Sequence, residues 1–162
     1  MPVAVRRRYE EAEIHKFGLN STNTVWAKEL TSSDLDNAGD HQAAVVEARQ
    51  GLDIALSLVG TDDPLTQGVR ATLADVSLGA GLTQDAGAIL DSIDRKQLEK
   101  VDGVRASASW FDLQRARIAR LDHDSIKAEA LFQSALKELP DDPNFAALGT
   151  VILAQHDHEK SH

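Results

Sequence analysis

An internal repeat of 42 residues is the feature of this sequence that most restricts its fold. Ala44, Ala86 and Ala128 follow one another at this spacing. Small or apolar residues also recur four and seven positions after each alanine, in the columns Ala48, Leu90 and Phe132 and Gly51, Ile93 and Ala135. Positions i, i+4 and i+7 lie on one face of an α-helix. The chain is therefore expected to fold as a stack of similar helical units.

Turn residues divide each unit into two helices. Gly39 and Gly81 stand five residues before the first two alanines, where a left-handed glycine would end a helix. His123 holds this place in the third unit, so its turn is expected to close differently. The pattern leaves 95–103 as either a ragged helix or a loop. It predicts helices over 2–16, 22–38, 40–59, 64–80, 83–94, 104–121, 124–139 and 143–156.

Composition agrees with an all-α protein and restricts its partners. Aromatic residues make up only 4%, and alanine and leucine supply most of the apolar content, which favours helices over a β-sandwich. The net charge of -9 argues against nucleic acid, because phosphate binding depends on Lys and Arg. A basic peptide or protein is the expected partner. The absence of cysteine fits the cytoplasm, and no apolar stretch approaches the length of a membrane helix.

The segment between Gly39 and Gly81 resembles one tetratricopeptide repeat of the 42-residue variety found in kinesin light chains. It carries Ala44, Leu52 and Ile54, then LVGTDDP over 58–64, then Leu73 and Ala74. The third unit adds AEALFQSAL over 128–136. The resemblance implies an all-α, right-handed helical-repeat solenoid of about three helix pairs. The implied single domain, 1–162, comprises an N-terminal helix (1–20), repeats (22–59, 64–100 and 104–139), a C-terminal capping helix (143–156) and a tail (157–162).

The resemblance further implies that the chain is a protein-binding or peptide-binding adaptor or regulatory module, not an enzyme. In such repeats the first helices line a concave groove. Kinesin-type units usually carry paired asparagines there, and this chain has Ala71 and Thr72 instead. The corresponding groove residues are Trp26, Glu29, Ser33 and Asp36; Gly68, Ala71, Asp75 and Leu78; and Trp110, Leu113, Arg117 and Arg120.

Trp26 and Trp110 stand two repeat lengths apart and are the expected anchors of this groove. Trp and Arg are the residue types that dominate binding energy at interfaces. The expected ligand is a peptide with an apolar anchor and mostly basic flanks. The alternative, that both Trp side chains pack between helices, stays open because large aromatic residues are usually mostly buried.

Two other function classes stay open. His158, Glu159 and His162 match the zinc-peptidase pattern H-E-x-x-H. The three histidines His156, His158 and His162 could also bind a metal weakly. A third catalytic ligand is missing, and 155–162 is expected to be a disordered tail, so no metal and no cofactor are predicted. Self-assembly is the second class, through an exposed apolar end helix with Phe145, Leu148 and Ile152.

Overall fold

The computed structural model describes residues 1–161, without the side chain of Glu159, and this part of the chain forms helices and no strand. The prediction of an all-helical fold is confirmed. Helix bounds lie within a few residues of those expected, except around 95–107 and at the C-terminal helix. The helices are α1 (Val3–Phe17), α2 (Thr22–Asn37), α3 (His41–Val59), α4 (Pro64–Gly79), α5 (Thr83–Ser92), α6 (Arg95–Glu99), α7 (Ala108–Leu121), α8 (Ser125–Lys137) and α9 (Ala146–Lys160), the last preceded by a 3₁₀ turn (Pro143–Phe145).

The helix starts follow from local sequence. Six helices begin after a Ser or Asp whose side-chain oxygen accepts a hydrogen bond from a backbone N–H of the first turn. Such a cap satisfies an amide that has no partner within the helix. The capping residues are Ser21, Asp40, Asp63, Asp94, Ser107 and Asp124.

The turns within the three units close in the same way, and the expectation that the third turn differs is wrong. Gly39, Gly81 and His123 all have positive φ, of 87°, 74° and 61°. The residue after each turn donates its N–H to the carbonyl oxygen five residues earlier, at 2.9, 2.9 and 2.8 Å. His123 therefore adopts a backbone conformation that is costly for a residue with a Cβ.

Neighbouring helices along the chain pack against each other except at α6, which packs against α4, so that α5 contacts α7 directly. In addition, α2 contacts α4, α4 contacts α7, and α7 contacts α9. Ala44, Ala86 and Ala128 are fully buried, as are the larger Phe132 and Leu98. Small residues at these positions let paired helices approach closely. The largest apolar cluster lies among α4, α5, α7, α8 and α9, and smaller clusters join α2, α3 and α4.

The stretch that the sequence left undecided contains the short helix α6. The chain leaves α5 at Ile93, which is extended, and Asp94 then caps α6. Gln67, buried on α4, holds this break. Its Oε1 accepts the N–H of Asp94 at 2.9 Å, and its Nε2 donates to the carbonyl of Thr61 at 2.6 Å. One buried amide thus fixes where α5 ends, and residues 94–107 fold back along α4.

The C-terminal helix runs to Lys160, beyond the expected end at 156. His156 was expected in a disordered tail but is buried, with its Nε2 2.7 Å from Glu129 Oε2 and its ring 5.4 Å from that of Phe132. Leu148 and Ile152 are also buried, so they do not form the exposed apolar face on which self-assembly would depend. They are buried because α9 packs against α7 and α8.

Helix α1 is attached largely through charged groups. Lys28 of α2 is buried, and its Nζ lies 2.9 Å from Glu10 Oε1 of α1 and 3.4 Å from Glu47 Oε2 of α3. Arg6 pairs with Asp34 at 2.7 Å. These contacts hold α1 beside α2, next to the candidate site. No helix within residues 1–161 has the length and apolar content needed to cross a membrane.

Candidate functional site

The apolar members of the expected groove lie inside the molecule. Ala71, Leu78, Leu113 and Trp110 are all buried. The structure therefore corrects the expectation that these four side chains face a ligand. Ala71, Trp110 and Leu113 belong to the largest apolar cluster, where close packing needs apolar groups.

The two Trp side chains have opposite environments although they share a repeat position. Trp110 is 5% exposed and packs edge-on against Phe111, with ring centroids 5.2 Å apart. Leu98 of α6 and Ile152 of α9 belong to the same apolar cluster and explain its burial. Trp26, in contrast, is 58% exposed. The alternative of two packed Trp side chains thus holds for Trp110 and not for Trp26.

Apart from Glu29, the charged members of the expected groove bind polar groups within the protein. Arg117 donates to Asp75 and, at 2.9 Å, to Gln114 Oε1. Asp36 Oδ1 lies 2.7 Å from His41 Nδ1. Asp36, Asp75 and Arg117, which were expected to line the groove, thus each have a partner within the protein.

Arg120 likewise binds within the protein, since its Nη2 donates to Gln155 Oε1 of α9 at 2.8 Å. Ser33 is exposed, next to the surface that remains. Four members of the expected set therefore line one open cleft: Trp26, Glu29, Ser33 and Gly68.

Trp26 lies at the junction of three neighbouring cavities. The largest, of about 370 Å³, runs between α2, α4 and the segment after α6, and Leu65 and Val101 form its apolar walls. A second, of about 260 Å³, continues along α2 past Leu30 and Ser33. A third, of about 240 Å³, lies on the other side of Trp26, toward α1. Together they form a continuous surface, hereafter the Trp26 cleft.

A chain of polar contacts lines the floor of the Trp26 cleft. Thr72 of α4 donates its hydroxyl to Glu29 Oε1 at 2.9 Å. Arg105 Nη1 donates to the same hydroxyl at 2.9 Å, and its Nε donates to Asp102 Oδ2 at 2.6 Å. The guanidinium is thus held by Asp102 and Thr72, and the Glu29 carboxylate is hydrogen-bonded to the threonine alone among the described residues.

The environment of Glu29 disfavours its charged form. Burial raises the pKa of the carboxyl, and this effect exceeds the lowering by the Arg105 charge and by the hydrogen bond from Thr72, while Asp102 raises the pKa further. A perturbed carboxyl in a cleft is a recognised mark of a functional site.

Gly68 keeps the cleft open. It occupies the same repeat position as Trp26 and Trp110, on α4. A Cβ at Gly68 would lie 3.7 Å from Val101 Cγ2 and 4.0 Å from Arg105 Nη2. A larger side chain here would therefore occupy the space between Trp26 and the segment after α6.

Sequence reasoning missed the wall formed by Lys100, Val101, Asp102 and Arg105. These residues lie in and near the stretch left undecided between helix and loop. Their position depends on the distant Gln67, so no local signal could have assigned them to the cleft.

The zinc-type pattern at the C-terminus cannot be assembled from the described residues, because His162 and the side chain of Glu159 lie outside them. Within the part of the chain that the structure covers, no group of three or more His, Asp or Glu side chains is placed to hold a metal ion.

Comparison with models of known protein families gives no match, and a comparison with curated proteins gives none either. The resemblance to tetratricopeptide repeats therefore remains a prediction from the residues quoted above.

Proposed function

We propose that this chain is a helical-repeat protein-binding module of the tetratricopeptide kind, which binds a peptide segment of another protein in the Trp26 cleft. The repeat architecture is supported by the three helix pairs α2–α3, α4–α5 and α7–α8. Their equivalent alanines are fully buried, and their turns share one backbone conformation. In such an architecture a binding surface spans neighbouring units, as this cleft does between α2 and α4.

The observation that carries the proposal is the exposure of Trp26 where three cavities meet. Exposing a large aromatic ring to water has no benefit for folding, whereas covering it on binding removes apolar surface from water. A Trp at the centre of an interface contributes about 2 kcal/mol or more when it is fully covered. The walls, Leu65 and Val101, offer apolar contact on one side of the ring.

A random peptide library displayed on phage tests the proposal. Peptides are selected on the wild-type protein and then measured against Trp26→Ala by isothermal titration calorimetry. We expect selected peptides to bind Trp26→Ala at least about 30-fold more weakly, the equivalent of ~2 kcal/mol. The melting temperature should change little, because the side chain is mostly exposed.

Val46→Ala is the matched control, since this apolar side chain of α3 is 54% exposed and lies outside the cleft. It should leave the affinity unchanged. Gly68→Leu provides a second variant that fills the cleft and keeps Trp26, and it should also weaken binding. Peptides that bind wild type, Trp26→Ala and Gly68→Leu equally would show that the cleft is not the binding site.

A further inference from the structure

No ion pair to the Glu29 carboxylate is formed by the described residues, although the Arg105 charge acts on it from a longer distance. Among residues 1–161, no Lys, Arg or His nitrogen forms an ion pair with it within 4.0 Å, and the hydroxyl of Thr72 is its hydrogen-bond donor. A partly buried carboxylate with one neutral donor is poorly compensated, because burial disfavours charge that is not paired. The raised pKa of Glu29 is consistent with this geometry.

The nearest internal cation is engaged elsewhere. Arg105 uses its Nε for Asp102 and its Nη1 for Thr72, at 2.6 and 2.9 Å. Its charge is therefore largely balanced by Asp102. Asp102 lines the same cavity, and its own charge is balanced by Arg105 in turn, so Glu29 is the carboxylate of the cleft floor that has no ion-pair partner among the described residues.

The Trp26 ring stands beside this carboxylate. Trp26 and Glu29 are three positions apart on α2, so both project toward the same cavities, and both border the two larger ones. A cation that enters the cleft over an indole ring gains a cation–π attraction, which is strongest for Trp. It can also donate hydrogen bonds to a carboxylate, and such charged bonds are stronger than neutral ones.

We infer that the Trp26 cleft receives a lysine or arginine side chain of the bound peptide, with the cation over the indole ring of Trp26 and its N–H groups donating to Glu29. The aliphatic part of the same side chain would contact Leu65 and Val101. The net charge of -9 favours the approach of a basic segment. This inference rests on the proposed function and adds the chemistry of the ligand.

An acidic ligand is the competing possibility, since Lys100 and Arg105 also line the largest cavity. It is disfavoured because Arg105 is already balanced by Asp102, and because an anion would have to approach the Glu29 carboxylate, whose burial outweighs the stabilisation by Arg105 and Thr72. The two ligand types predict opposite effects of neutralising Glu29, and this difference decides the experiment.

The probes are the library peptides that bind wild type and lose binding to Trp26→Ala. Each basic residue of such a peptide is replaced by an uncharged analogue of similar shape, citrulline for arginine or norleucine for lysine. Affinities are measured for wild type and for Glu29→Gln, which removes the charge and keeps the side-chain size. Asp53→Asn, on the exposed face of α3, controls for the loss of one negative charge.

We expect one basic residue of the peptide to be coupled to Glu29. Its neutral replacement should weaken binding to wild type about tenfold, the equivalent of ~1.4 kcal/mol. The same replacement should have little effect on binding to Glu29→Gln, and Asp53→Asn should behave as wild type does.

Three results would overturn the inference. In the first, the selected peptides depend on Trp26 but contain no basic residue, or contain basic residues that show no coupling to Glu29. Either outcome would support the proposed function and exclude a lysine or arginine side chain as the group bound in the cleft. Tighter binding to Glu29→Gln, with an acidic peptide residue required, would assign an anionic ligand instead. A library without any Trp26-dependent peptide would remove the proposed function itself, and the inference with it.

Discussion

Replacing Gly79 by alanine tests how the turn between α2 and α3 docks onto α4. Gly79 is the last residue of α4, and the carboxylate of Asp36 lies directly over it. A Cβ added at Gly79 would stand 2.3 Å from Asp36 Oδ1 and 3.0 Å from His41 Nδ1. Real Cβ atoms do not approach an oxygen so closely, so the Asp36–His41 pair would have to move.

The expected loss follows from three contributions. Overpacking of a close contact costs about 1–3 kcal/mol. Loss of the hydrogen bond between Asp36 and His41 costs about 0.5–1.5 kcal/mol. Alanine favours a helix over glycine by about 1 kcal/mol at an interior position, and by less at a terminus. The free energy of unfolding should therefore fall by about 1–3 kcal/mol, or roughly 2–4 °C in melting temperature for each kcal/mol.

Urea titration followed by circular dichroism measures this loss, and Gly87→Ala is the matched control. Gly87 lies within α5, where an added Cβ would meet Ile118 Cδ1 at an ordinary 3.9 Å, so this variant should gain up to about 1 kcal/mol. In an Asp36→Ala background the 2.3 Å contact is absent and only the 3.0 Å approach to His41 Nδ1 remains, so Gly79→Ala should cost much less than in the wild type. An equal cost of Gly79→Ala in both backgrounds would show that contact with Asp36 does not cause the loss.

Three further predictions address the repeat, its third turn and the cleft. Ala86→Leu should lower the free energy of unfolding by about 1–3 kcal/mol, because the alanine is fully buried. Ala146→Leu, at an exposed site, should change it by less than about 0.5 kcal/mol. Equal changes in urea titrations of the two variants would contradict the repeat register. His123→Gly should raise the free energy of unfolding by about 0.5–1 kcal/mol, since glycine adopts the positive φ without strain, and a lower melting temperature would contradict this. Burial holds the pKa of Glu29 above its unfolded value, so its protonation stabilises the fold at low pH and this stabilisation is lost as pH rises through the folded pKa. Glu29→Gln should therefore raise the melting temperature at neutral pH, with a gain that disappears below about pH 4; a gain independent of pH would exclude this linkage.

The helical pairing could be predicted from the sequence because it depends on short-range patterns repeated at a fixed distance. A buried helix face needs small or apolar residues at fixed spacing, and the column of Ala44, Ala86 and Ala128 shows that spacing three times. The turn at His123 could not be predicted from the preference of glycine for positive φ. The packing of α7 against α8 imposes the same turn that glycine forms in the other units, and a histidine adopts it at a cost.

The cleft could be predicted only in part. Trp26 and Glu29 follow from their positions on the first helix of a unit. The opposite wall depends on the break after α5, which the buried Gln67 fixes through hydrogen bonds to Thr61 and Asp94. Asp94 is distant from Gln67 in the sequence, and Thr61 lies in the irregular segment between α3 and α4. Repeat equivalence also failed for Trp110, because α6 and α9 add apolar groups around it that Trp26 does not have.

Nuclear magnetic resonance of the two indole N–H groups can show directly whether a peptide binds in the Trp26 cleft. The chain has two Trp residues, and they differ in exposure from 58% to 5%. On titration of ¹⁵N-labelled protein with a library-selected peptide, the Trp26 indole signal and the amides around Gly68 and Arg105 should shift together to saturation, while the Trp110 indole stays in place. A saturating peptide that leaves the Trp26 signal unmoved and shifts amides of α3, α5 or α8 would show that the peptide binds outside the Trp26 cleft.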